Sequence, residues 1–64
     1  MKYEVEGKSF RSLTQAMKYG EEQAKKIGST VVYEVDRRNE MKIARIEHWI
    51  AEGFIPCIRI HYYR

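Results

Sequence analysis

The chain has 64 residues, 44% of them hydrophobic and 33% charged, with one proline, four glycines and one cysteine. That balance excludes collagen-like, low-complexity and disordered classes, and the longest apolar run, Phe54 to Ile58, falls far short of the roughly 20 residues a membrane-spanning helix needs. Twelve basic residues against nine acidic give a net charge of +3, but the excess forms no block: residues 1–28 hold six basic and four acidic groups, residues 29–64 six and five.

The N-terminus alternates. Tyr3 and Val5 fall on one side, Lys2, Glu4 and Glu6 on the other, the pattern of a half-buried strand. Gly7-Lys8 reads as a turn and Ser9-Phe10-Arg11 as a short return strand. Ser12 with Gln15 three residues later fits a capping box. Leu13, Ala16, Met17, Gly20, Ala24 and Ile27 then share one face at helical spacing, and Gly28 stands where a left-handed cap belongs. Together they predict a helix over Leu13 to Ile27. Glu21 and Lys25, like Glu22 and Lys26, are spaced by four in the orientation that favours helix ion pairs. Gly20 interrupts the apolar face at about 1 kcal/mol against alanine, which is explained if the helix lies close on a sheet.

Val31 to Val35 is β-branched and aromatic, a strand. Asp36 to Glu40 is a polar break, suited to a loop of about five residues. Met41 to Ile50 fits either a helix, with Ile43, Ile46 and Ile50 on one face, or a strand, with Ala44, Ile46, His48 and Ile50 on one side. The strand is the preferred reading, because Ala51-Glu52-Gly53 resembles a hairpin turn. In the last run Ile58, Ile60 and Tyr62 alternate with Cys57, Arg59, His61 and Tyr63, and Pro56 stands at the strand's start. The expected fold is therefore α+β: one small domain over residues 1–64, with a small antiparallel sheet and one amphipathic helix on one face, ββαββ or ββαβββ.

Catalytic signatures are missing. No serine lies in a G-x-S-x-G turn and no glycine-rich loop cradles a phosphate, so no enzyme activity and no cofactor are expected. Cys57 and His61 share a strand face but lie roughly 13 Å apart, too far to chelate one zinc ion, so no metal site is expected. A single cysteine permits no internal disulfide; with no secretory leader or membrane span in view, a cytoplasmic setting is expected.

The notable constellation is C-terminal. With Ile58, Ile60 and Tyr62 against the helix, Arg59, His61, Tyr63 and Arg64 lie on or beside the other sheet face, and Trp49 joins them if its segment is a strand. Arginine, tyrosine and tryptophan dominate protein-binding hot spots, which makes Trp49, Arg59, His61, Tyr63 and Arg64 the candidate partner-binding residues. Flat aromatics beside arginine also stack unpaired bases, so the alternative is a small nucleic-acid-binding domain using Arg37, Arg38, Lys42, Arg45 and Arg59. Self-association into a homodimer is a third reading, since so small a core can borrow surface from its own copy.

Gly7, Lys8, Ser9 and Phe10, Ser12 and Leu13, Ala16, Ala24, Gly28, and Val31, Val32 and Tyr33 together lay out a hairpin, a helix and a sheet. In size and layout the first 35 or so residues resemble the small accessory proteins encoded by phages and mobile elements, anti-CRISPR inhibitors among them. The resemblance implies a non-catalytic interaction protein that docks on a larger host protein or nucleoprotein complex and blocks or modulates it. Many such proteins are acidic DNA mimics; a net charge of +3 departs from that pattern and leaves steric blocking as the implied mode. No functional residue carries over from the resemblance.

Overall fold

The computed structural model describes residues 1–63. Its elements run β1 (Lys2–Val5), β2 (Lys8–Phe10), α1 (Leu13–Ile27), β3 (Ser29–Asp36), β4 (Asn39–Ala51) and β5 (Ile55–Tyr62). The strands form one antiparallel sheet in the order β2-β1-β3-β4-β5, and α1 packs on one face of it. This is the ββαβββ form of the expected α+β fold.

Turn chemistry sets the register of each hairpin. Val5 pairs with Lys8, so Glu6 and Gly7 alone form the first loop, both at positive φ (48° and 81°) as the twist of a two-residue hairpin requires. The turn therefore lies one residue earlier than Gly7-Lys8, and Lys8 replaces Arg11 in the return strand. The expected five-residue loop over Asp36 to Glu40 also contracts. Asp36 pairs with Asn39 and Val35 with Glu40, leaving only Arg37 and Arg38 outside the ladder. Polarity there marks solvent exposure, which charged residues at the end of a sheet combine with full backbone pairing. The Met41–Ile50 segment is a strand, and β4 extends it in both directions.

Helix α1 is bounded as its caps dictate. The Ser12 hydroxyl accepts from the Gln15 N–H at 3.5 Å, and the Gly28 N–H donates to the Ala24 carbonyl at 2.7 Å with Gly28 at φ 96°. Its buried residues, Ala16, Gly20 and Ala24, are small and spaced by four, so the helix axis can sit low on the sheet. A Cβ on Gly20 would stand 2.7 Å from Ile46 Cδ1, which explains the glycine. Val5, Val32, Ala44 and Ile46 from the sheet complete a core with no solvent exposure. Thr30, 4% exposed, donates its hydroxyl proton to Glu6 Oε2 at 2.8 Å and so ties β3 to the first turn. At the opposite flank Phe10 and Tyr19 rings meet at 5.2 Å under the Lys8 ammonium, holding β2 to the helix.

The ends of the helix's apolar face are less covered than its spacing implies. Leu13 and Ile27 are both exposed, because the core is only as long as the three small residues between them. The larger departure concerns β5. Ile58, Ile60 and Tyr62 do lie on the helix side, but α1 reaches only β1 to β4. Tyr62 is 59% exposed as a result, and Ile58 is also exposed. A single helix about 10 Å wide cannot span five strands spaced about 4.8 Å apart.

Candidate functional site

The β4–β5 hairpin is the part of the chain that projects. β3 pairs with β4 only as far as Glu47, and the His48 N–H takes the Gly28 carbonyl at 2.8 Å. Beyond that point β4 and β5 pair with each other alone, through Trp49↔Cys57, Ile50↔Pro56 and Ala51↔Ile55. The ribbon makes the molecule 45 × 21 × 16 Å, with a radius of gyration of 12.3 Å against about 11 Å for a compact chain of this length.

One face of this hairpin carries the candidate residues. Thr30 and Val32 lie under the helix, so the alternate residues Val31, Tyr33 and Val35 mark the helix-free face. Register continues that face through Arg45, Glu47 and Trp49 on β4 and Cys57, Arg59 and His61 on β5. The Arg59 guanidinium carbon lies 5.3 Å from the Trp49 ring centroid, a cation–π stack across the two strands. His61 and Tyr63 meet edge to face at 5.1 Å and 83°. Trp49, Arg59, His61 and Tyr63 are thus brought onto one surface, all exposed. Arg64 lies outside the described residues. Cys57 is half-buried, and its thiol donates to the Ile55 carbonyl at 3.6 Å.

The alternative basic set is dispersed. Arg45 and Arg59 are neighbours on the helix-free face, since Arg45 pairs with His61 and Glu47 with Arg59. Arg37 and Arg38 occupy the β3–β4 turn, at the other end of β4, roughly 30 Å from Trp49. Glu4, Glu40 and Glu47 share the face with Lys42, Arg45 and Arg59 and break any continuous basic track.

Several exposed apolar residues at the hairpin tip escaped the sequence pattern. Phe54 is 90% exposed and held at φ 59°, a region bulky residues rarely occupy, and Ile50 and Ile55 flank it uncovered. The signal available was an aromatic residue directly after the Gly53 turn, where small polar residues are usual. The surface also carries two shallow clefts. One of about 260 Å³ is lined by Tyr3, Leu13, Glu34, Ile43, Ala44 and Tyr62, and one of about 230 Å³ by Glu21, Lys25, His48, Pro56, Cys57 and Ile58. Both fall below the roughly 300 Å³ at which small-molecule pockets begin.

Among the described residues no three His, Cys, Asp or Glu side chains gather as metal ligands, and no helix is long and apolar enough to cross a membrane. No protein-family model, curated protein or solved structure matches the chain.

Proposed function

We propose that this chain is a non-catalytic interaction protein that docks on a larger host protein or nucleoprotein complex, blocking or modulating it, through the β4–β5 hairpin. The observation that carries this reading is the concentration of exposed aromatic and apolar side chains on one projecting ribbon: Trp49, Ile50, Phe54, Ile55 and Ile58. Large uncovered apolar groups on a small monomer mark contact surfaces. Trp49 under Arg59, with His61 and Tyr63 beside them, adds the residue types that dominate binding hot spots. Arg59 is held by the tryptophan ring and Tyr63 by the histidine, so less side-chain entropy remains to be lost on binding.

The nucleic-acid alternative is less well supported, because its five basic residues do not form one patch. The reading is tested by affinity capture of the tagged protein from its native host. Paired alanine variants at Trp49 and Arg59 should lose the partner while far-UV circular dichroism stays unchanged. Retention of DNA or RNA in place of protein, falling steeply with salt, would favour the alternative.

A further inference from the structure

Resting on the docking reading above, we infer that the outer edge of β5 is the seat of an added strand, and that its occupant is an extended segment of the partner in which apolar and acidic residues alternate. The backbone fixes which groups face outward. The Tyr63 N–H donates to the Ile43 carbonyl at 3.1 Å, so the odd-numbered residues of β5 turn their peptide groups toward β4. The peptide groups of Ile58, Ile60 and Tyr62 therefore face outward, along the edge where no strand of the sheet lies. Pro56 belongs to the same outward set, where its missing N–H leaves no ladder bond unmade and limits new pairing to the stretch after it. An unpaired edge of this kind is a template for strand addition, with main-chain bonds giving affinity and alternate side chains giving specificity.

The two faces of β5 say which side chains the added strand carries. On the helix side stand Ile58 and Tyr62, both exposed, with Ile60 half-buried against the core between them; apolar residues of the incoming strand would cover the exposed pair. On the other side stand Arg59 and His61, in a stretch, residues 54–64, that holds no aspartate or glutamate. Glu47 lies across from Arg59 on β4, but a guanidinium has five donors and can serve a second carboxylate at the edge. A second copy of this chain lacks the complementary charge. Pairing two β5 edges brings no carboxylate from residues 54–64 to Arg59, and antiparallel pairing centred on Arg59 sets that arginine against its own counterpart, like charges whose direct opposition is destabilising.

The test uses the full chain and two labelled peptides, Thr-Val-Glu-Val-Glu-Val-Thr and its counterpart with lysine for glutamate, followed by fluorescence anisotropy. The glutamate peptide is expected to bind saturably and at least about tenfold more tightly than the lysine peptide, with Arg59→Glu reversing the preference. Ile58→Pro removes one outward N–H at an edge that already tolerates Pro56; it should keep the native circular dichroism and lose the peptide. A glutamate peptide N-methylated at alternate residues should fail to bind the unaltered chain, which keeps the test decisive if Ile58→Pro does not fold. Equal binding of both peptides, binding of neither, undiminished binding to folded Ile58→Pro, or a dimer by sedimentation that Ile58→Pro dissolves would each overturn the inference. If Ile58→Pro still captures the host partner that the Trp49 and Arg59 variants lose, the edge fails and docking through the hairpin stands. If none of these variants alters capture, the docking reading itself fails.

Discussion

Gly20→Ala tests how closely the helix approaches the sheet. A methyl group at this position would meet Ile46 Cδ1 at 2.7 Å, Val32 Cγ2 at 3.5 Å and Thr30 Cγ2 at 3.7 Å. Helix propensity alone favours alanine by about 1 kcal/mol. Overpacking a fully buried site opposes it by about 1–3 kcal/mol, so a net loss of about 1 kcal/mol is expected. Only one of the three contacts is too short, and it belongs to the terminal carbon of a single side chain. Ile46→Val deletes that carbon at its own cost of about 0.5–1.5 kcal/mol. In the Ile46→Val background Gly20→Ala should then become stabilising, by up to about 1 kcal/mol. The two effects of the same substitution differ by roughly 2 kcal/mol, well above the 0.3–0.5 kcal/mol within which independent changes add. Urea unfolding of the four proteins, followed by circular dichroism, measures the cycle. Equal effects of Gly20→Ala in both backgrounds would show that contact with Ile46 is not what requires glycine.

Two further substitutions probe the first turn and the hairpin tip. Glu6→Ala should destabilise the fold by about 1–3 kcal/mol in urea unfolding, because it strands the buried Thr30 hydroxyl, whereas Thr30→Val, which removes the buried donor itself, should cost less; the reverse order would show that the bond does not secure the turn. Phe54→Asn should raise the melting temperature, by the equivalent of about 1 kcal/mol, since asparagine tolerates the positive φ and the phenyl ring buries almost nothing. The same variant should bind the partner more weakly, and a gain in stability without that loss would remove Phe54 from the contact surface.

The helix and the strands were legible because their signals are local. Ser12, Gln15 and Gly28 bound α1 through short-range hydrogen bonds, and the spacing of Ala16, Gly20 and Ala24 states directly which face is buried. The alternation of Cys57, Arg59 and His61 with Ile58, Ile60 and Tyr62 likewise assigned each residue to a sheet face. What the pattern does not contain is the lateral reach of the helix. Ile60 and Ile46 face each other in register and have the same chemistry, yet Ile46 is fully buried under α1 while Ile60 lies one strand further out and only half-buried. Strand order decides that difference, and strand order depends on long-range pairing. Loop length depends on long-range pairing in the same way. Asn39 and Glu40 look like loop residues in isolation, and only their partners Asp36 and Val35 make them strand.

The most direct test of docking through the hairpin is recovery of the host partner by the unaltered chain and by the Trp49→Ala/Arg59→Ala pair, compared at matched folded concentration. The two side chains are exposed and stack on each other, so their removal should leave the core intact and the circular dichroism unchanged. The expected result is a partner retained by the unaltered chain and lost from the variant. Equal recovery of that partner by both proteins would contradict the assignment of this surface.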